Sequence, residues 1–327
     1  MKKTLLATLT TLTLLTLAAC SSSEKTPESY SSTTPEASSE KVATGTRETI
    51  NFGILPAESA LPIIIAHEQG FFTEEGTDVS IKSFSSPNDR NVAIQAKTID
   101  GTISDVMTEA TFKKNGIDMT ITSGILEDFK ILASPQSNIT EMKQLADKKV
   151  TLVPNFILEY IMDVFATEDD FTYQIVEIPS FSARSEALMT GEVDAAVYTE
   201  PQASMLAAQG AVILGGSKEA GIKGGTIQFT DQLLTERPQD VAAFYRAYNK
   251  AIDYMNAHKA SEYTDTLSKY QFPDAMSNYL DSQEADYPYA DAVTQEQFDK
   301  IIAWSKGKGM IDEAYTYEEL TDFGYLK

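Results

Sequence analysis

The chain has 327 residues, 48 of them Asp or Glu against 26 Lys or Arg, for a net charge of −22, with two histidines and one cysteine. That balance excludes nucleic acid as a partner, since such binding depends on neutralising phosphates with Lys and Arg. It also argues against lying flat on an anionic membrane surface. One cysteine cannot form a disulfide within the chain, and two histidines leave little material for a His-cluster metal site or a catalytic centre.

The N-terminal end reads Met1-Lys2-Lys3, then an apolar and threonine-rich run from Thr4 to Leu17, then Ala18-Ala19-Cys20. This order of charge, short apolar stretch and small residues predicts a secretory leader. The run is about 14 residues long, shorter than the ~20 that a helix needs to cross a bilayer. The setting of Cys20 resembles the bacterial lipobox. That resemblance implies that residues 1–19 are removed and that Cys20 carries diacylglyceryl and palmitate-type acyl chains. The chain is then held on the extracytoplasmic face of the cell membrane through lipid alone. Residues 20–47 are Ser, Thr, Glu, Pro and Ala with almost nothing apolar, which predicts a flexible tether with an r.m.s. reach of roughly 30 Å.

From Thr49 onward, short β-like runs alternate with helices, the pattern of an α/β fold with largely parallel strands. Strands are expected at 49–55, 78–83, 101–104, 119–123, 130–133, 149–153, 173–178, 195–198, 212–214 and 226–229. Pro62 and Gly70 punctuate a helix at 61–69, and Pro201 and Gly210 another at 201–209. After Pro238 only helices are expected, at 238–258, 260–270, 274–282 and 294–306, the last with Thr294 and Gln297 placed as a capping box. Ile99-Asp100-Gly101-Thr102-Ile103-Ser104 and Val193-Asp194-Ala195-Ala196-Val197-Tyr198 echo one another. Such an echo fits two facing lobes, although any two helix-to-strand turns share some of it.

Three blocks carry a family resemblance. Leu61-Pro62, Ile65-Ala66 and Gly70-Phe71-Phe72 with Gly76 form the first; Gln95-Ala96 with Ile99-Asp100-Gly101 and Ile103-Ser104-Asp105 the second. Arg184, Ala187-Leu188, Gly191-Glu192-Val193-Asp194-Ala195-Ala196 and Glu200-Pro201 form the third. In this order they resemble the periplasmic-binding-protein-like family that includes binders of nitrate, taurine, aliphatic sulfonates and the thiamine pyrimidine precursor. Lys97-Thr98 departs from it where the family often has glycine. The resemblance implies two α/β lobes joined by two crossover strands, with the C-terminal helices packed on lobe 1 and a hinge closing on the ligand. It further implies a monomer with no cofactor, partnered by a small-molecule ligand and the membrane permease of an ABC importer. The first crossing is expected near Ser134-Pro135 and the return near Gly224-Gly225-Thr226, giving lobe 1 as 48–134 and 227–327 and lobe 2 as 135–226.

Ligands of open α/β sheets sit beyond the carboxyl ends of the strands. That rule selects Glu58, Ser59, Ser86, Asn88, Arg90, Ser104, Asp105, Ser123, Asn155, Phe156, Phe181, Arg184, Tyr198 and Glu200. Arg90 and Arg184 suit a sulfonate or carboxylate, whereas Glu58, Asp89, Asp105 and Glu200 would repel one. The balance favours a neutral or amine-bearing polar ring, heteroaromatic and thiamine-precursor-like in chemistry, stacked on Phe156, Phe181 or Tyr198; an anionic solute is the alternative. Asp105 and Glu200 suit helix caps equally well, and Arg184 suits a surface pair with Glu186 or Glu177. Phe71 and Phe72 read as core.

No enzyme is expected. His67-Glu68 lacks the second histidine of a zinc-protease helix, and Gly215-Gly216-Ser217-Lys218 matches no nucleotide loop. No Gly-x-Ser-x-Gly elbow occurs, and the cysteine-rich motif of the fold-related pyrimidine synthases is absent. A surface adhesin would need an apolar patch outside the cleft.

Overall fold

The computed structural model describes residues 48–326 apart from 271, 274 and 284 and the side chain of 275. The leader, Cys20 and the tether lie outside the described residues. The described residues fall within one compact unit.

Among the described residues, ten strands lie where short apolar runs are bounded by turn residues. They are β1 (Ile50–Ile54), β2 (Val79–Ser83), β3 (Gly101–Asp105), β4 (Met119–Gly124), β5 (Phe129–Ala133), β6 (Lys149–Leu152), β7 (Gln174–Glu177), β8 (Ala195–Thr199), β9 (Val212–Gly216) and β10 (Gly225–Thr230). They pair as two five-stranded sheets, β2-β1-β3-β10-β4 and β7-β6-β8-β5-β9. In the first, β1 runs parallel to β2 and β3 while β10 is antiparallel to β3 and β4. The second repeats the plan, with β6 parallel to β7 and β8 and β5 antiparallel to β8 and β9. Each sheet is therefore mixed but largely parallel, with four strands running one way and one, arriving from the other sheet, running against them.

This pairing moves the first crossing. Strand β5 already belongs to the second sheet, so the chain changes lobes between Gly124 and Phe129, not at Ser134-Pro135. Ser134-Pro135 instead opens the turn after β5, where the Ser134 N–H donates to the Asp194 carbonyl at 2.8 Å. The return falls between Gly216 and Gly225, so that Gly225 and Thr226 already stand in β10 of the first sheet.

The first lobe is held by a ring cluster under helix Pro238–Ala257, whose Val241, Phe244, Tyr245, Tyr248, Ile252 and Met255 repeat at helical spacing on one buried face. Phe244 stacks on Phe52 at 5.0 Å and on Phe72 at 5.2 Å, and meets Phe229 edge-on at 5.1 Å. Gly101 belongs to the same fit, since a Cβ there would lie 2.4 Å from the Phe229 ring.

Helix Gln295–Gly307 packs against helix Val106–Lys114 of the first lobe and also enters the second core, where Phe298, Ile301 and Ile302 join Ile131, Val150, Leu152 and Ile161. At its end, Trp304 Nε1 donates to Asp163 at 2.9 Å, and Lys308 pairs with Glu159 and Asp163 of the second lobe. The C-terminal helices thus pack on lobe 1, and this one also reaches lobe 2. Only half of its capping box forms. Thr294 Oγ1 accepts from the Gln297 N–H at 3.3 Å, while the Gln297 side chain donates to the Gly221 carbonyl at 2.7 Å.

Truncating the ring at the centre of the first lobe, Phe244→Ala, is expected to lower the unfolding free energy by about 3–5 kcal/mol. Gly101→Ala, which forces the Phe229 ring aside, is expected to cost about 1–3 kcal/mol. Urea melts followed by fluorescence and circular dichroism measure both; a loss below ~1 kcal/mol for Phe244→Ala would show that the cluster does not hold the lobe.

Candidate functional site

The ends of β3 and β8 and the crossing that leads into β5 meet at a cavity of about 70 Å³ between the two sheets. Leu55, Ala57, Ser59, Pro87, Arg90, Ile103, Ser104 and Asp105 line it from the first lobe, and Ile125 and Leu126 from the crossing. Phe129, Val153, Phe156, Ile157, Leu158, Phe181, Arg184 and Thr199 close it from the second.

Arg90 comes from helix Pro87–Gln95, whose start is capped by Ser86 Oγ accepting from the Asp89 N–H at 3.1 Å. The side chain is 1% exposed. Its Nε donates to Asn91 Oδ1 at 2.8 Å and its Nη1 to the Ile103 carbonyl. Burial pushes the guanidinium down to about 10, with the nearby Asp105 opposing the shift, so it stays a cation at neutral pH.

Arg184 occupies the equivalent place in the second lobe, on helix Phe181–Thr190, and is also 1% exposed. Its Nη1 donates to the Val197 carbonyl at 3.3 Å and its Nη2 to the Pro179 carbonyl at 3.4 Å. The guanidinium lies 5.0 Å from the ring centres of both Phe181 and Tyr198. Its Nε is buried with no hydrogen-bond partner, as is the Ser104 hydroxyl. Among the described residues, neither arginine has a carboxylate within ion-pair distance.

Among the described residues, Asp105 is the one acid on the cavity wall. It ends β3 and caps helix Val106–Lys114, its Oδ1 accepting from the Thr108 N–H at 2.8 Å. Its Oδ2 accepts from the Ile157 N–H at 3.4 Å, at the start of helix Ile157–Glu168 of the second lobe. One carboxylate therefore joins the two lobes. Burial raises its pKa, and Arg90 and the N–H donors oppose that shift.

Seven of the expected site residues line the cavity: Ser59, Arg90, Ser104, Asp105, Phe156, Phe181 and Arg184. The others lie elsewhere. Glu200 accepts from the Ser204 N–H at 3.0 Å and the Ser204 hydroxyl at 2.9 Å, as a helix-start acid does. Glu58 lies beside it, with the Glu58 N–H on the Glu200 carbonyl at 3.0 Å, and burial with the Glu200 and Asp128 charges lifts Glu58 to about 7. Asp89 accepts from the hydroxyls of Ser85 at 3.0 Å and Ser86 at 2.8 Å. Ser123 donates to the Gly124 carbonyl at 2.7 Å, and Tyr198 is buried behind Phe181, its hydroxyl on the Phe181 carbonyl at 2.8 Å. Asn88 and Asn155 line a separate outer pocket.

Arg184 makes no surface pair with Glu186 or Glu177, because it is drawn into the cleft between two rings. Three of the four acids that argued against an anion face away from the cavity, which removes the premise for a neutral or amine-bearing ring. The residues that sequence reasoning missed are apolar: Leu55, Ile103, Ile125, Leu126, Phe129, Val153, Ile157 and Leu158. Among the described residues, no group of three or more His, Cys, Asp or Glu is placed to hold a metal.

The chain is 21% identical over 249 residues to the putative binding protein YtlA of Bacillus subtilis (strain 168), covering 70% of this chain and 73% of that protein. The alkanesulfonate-binding protein SsuA of Xanthomonas axonopodis pv. citri, solved with MOPS bound, superimposes with a TM-score of 0.73 at 14% identity, over 85% of this chain and 99% of that one. The ligand-binding component of an ABC-type import system from Staphylococcus aureus, solved with zinc bound, gives 0.71 at 12% identity, over 86% and 98%. These structures share the two-lobed periplasmic-binding-protein-like fold. Residues 58–261, well over half of the sequence and including both arginines, match the NMT1/THI5-like family, and the chain belongs to it.

Proposed function

We propose that the protein is the extracytoplasmic solute-binding component of an ABC importer, and that it holds a compact organic anion, of the alkanesulfonate class, between Arg90 and Arg184. The observation that carries this reading is the pair of buried guanidiniums on one cavity without a carboxylate ion pair among the described residues. A buried charge without a counter-ion costs several kcal/mol, so the site is complementary to a negative charge brought from outside. Two cations against the single carboxylate of Asp105 leave one positive charge, which suits a monoanion.

Size and polarity narrow the class. A cavity of about 70 Å³ has room for roughly five water-sized atoms. That is enough for the sulfonate head and first carbon of such an anion. The unpartnered Arg184 Nε and Ser104 hydroxyl supply donors for the oxygens, and Ile103, Phe129, Phe156 and Leu158 supply an apolar wall for a short alkyl tail. The binding proteins that share the fold support the transport role, as does the lipid anchor expected at Cys20. In this reading the protein acts as a monomer, with residues up to Gly124 and from Gly225 forming lobe 1 and Phe129–Gly216 lobe 2, and delivers its ligand to a membrane permease without chemistry.

Thermal-shift and calorimetric titration of residues 47–327 test the reading. Ethanesulfonate at 100 times its Kd is expected to stabilise the protein by about 2.7 kcal/mol. Arg184→Met is expected to weaken binding by roughly 30- to 1,000-fold, the cost of truncating one partner of a buried charge pair. A response to heteroaromatic amines with none to sulfonates would overturn it.

The pH dependence has a defined sign. The Asp105 carboxylate repels a bound sulfonate, whose own charge does not titrate in this range, so the protonated form of Asp105 binds tighter. Affinity is therefore expected to rise as pH falls through the raised folded pKa of Asp105, with proton uptake on binding. Calorimetry in buffers of different ionisation enthalpy measures that uptake; Asp105→Asn is expected to abolish it, and an unchanged uptake in that variant would assign it to another group.

A further inference from the structure

An outer pocket of about 320 Å³ adjoins the anion cavity, and Val153 and Phe156 line both. Three carboxamides face it: Asn88 and Asn91 from the first lobe and Asn155 from the second. Asn91 is tied to the inner site, since its Oδ1 accepts from Arg90 Nε at 2.8 Å. Asn155 is held in the left-handed region at φ 66°, a conformation that asparagine tolerates better than other residues with a Cβ. Its N–H donates to Glu159 Oε2 at 2.6 Å, and Glu159 is buried and paired with Lys308. The loop that presents Asn155 is thus fixed by charge and hydrogen bonding rather than left to solvent. Among the described residues, the charged one on this wall is Glu177, which disfavours a second anionic group.

Resting on the proposed anion site, we infer that the outer pocket is a specificity pocket for the far end of the ligand. The solute is then a monoanion whose compact head sits between the arginines. Its tail passes Phe156 and ends in a neutral hydrogen-bonding group, an amide or hydroxyl, read by Asn88, Asn91 and Asn155. Because these amides come from both lobes, the tail is gripped only when the lobes are together, so it contributes to closure as well as to selection.

The test compares three probes by calorimetry on residues 47–327: ethanesulfonate, hexane-1-sulfonate, and the sulfonate of that same chain length ending in a carboxamide instead of a methyl group. The carboxamide compound is expected to bind about tenfold tighter than hexane-1-sulfonate, the equivalent of one or two net hydrogen bonds. This preference ratio is expected to fall to near one in Asn155→Gly, which keeps the left-handed backbone, and to drop in Asn88→Ala, an exposed position that folding does not depend on. Ethanesulfonate binding with equal or better affinity for the methyl-ended chain overturns the specificity pocket alone, as does a preference that survives both substitutions. Failure of all three sulfonates to bind overturns the anion site and this inference with it.

Discussion

The architecture depends on two chain crossings held side by side by one carboxylate. Glu127 lies in the outgoing crossing, and its oxygens accept from the N–H groups of Gly224 at 3.0 Å and Gly225 at 2.9 Å in the returning one. Burial raises its pKa to about 7 while the two backbone donors oppose the shift. The glycines are dictated by the same contact. A Cβ on Gly225 would lie 2.4 Å from Ile125 Cδ1 and 2.8 Å from Glu127 Oε2, and one on Gly224 would lie 2.5 Å from Ile301. With the crossings clasped, β5 and β10 enter opposite sheets as interior strands. The two lobes then face one another across Ile125 and Leu126, which line the floor of the cavity.

Burying two guanidiniums over that floor has an electrostatic cost. Bringing Arg90 and Arg184 into one small cavity removes both cations from water without a carboxylate ion pair among the described residues. The Asp105 carboxylate compensates in part, through its charge near Arg90 and its acceptance of the Ile157 N–H across the cleft. In the proposed reading a bound anion supplies the remaining counter-charge in the closed state, and that differential interaction couples binding to closure. The rings of Phe181 and Tyr198 hold the Arg184 guanidinium between them, so its orientation is set before the ligand arrives.

Much of the fold was legible because short apolar runs between turn residues specify strands locally, and each of the ten appears near its expected position. Strand order and the first crossing were not. Ser134-Pro135 carries a strong local turn signal, whereas Ile125-Leu126-Glu127-Asp128 carries none; only the pairing of β5 with β8 and β9 shows where the chain changes lobes. In the site, Arg90, Ser104, Asp105, Phe156, Phe181 and Arg184 were legible from the rule that ligands sit past strand ends. The apolar wall was not, because Ile103 or Phe129 at the end of a strand reads as core. The acids misled for a third reason. Composition counts a carboxylate as a negative charge facing the ligand, but the oxygens of Glu200 and Asp89 are turned to N–H and hydroxyl groups of their own helices.

A net charge of −22 is compatible with the proposed anion site, because the two effects act over different ranges. Charges on the surface are screened beyond about 8 Å at physiological ionic strength, and their repulsion is felt chiefly as a slower, salt-sensitive encounter. Arg90 and Arg184 lie in a cavity from which water is largely excluded, where a pairwise attraction is several-fold stronger than in bulk water. In the proposed reading, affinity is therefore decided by two guanidiniums and one carboxylate on the cavity wall. The acidic exterior governs how the loaded protein approaches other charged surfaces, including the anionic membrane that its tether is expected to hold it near.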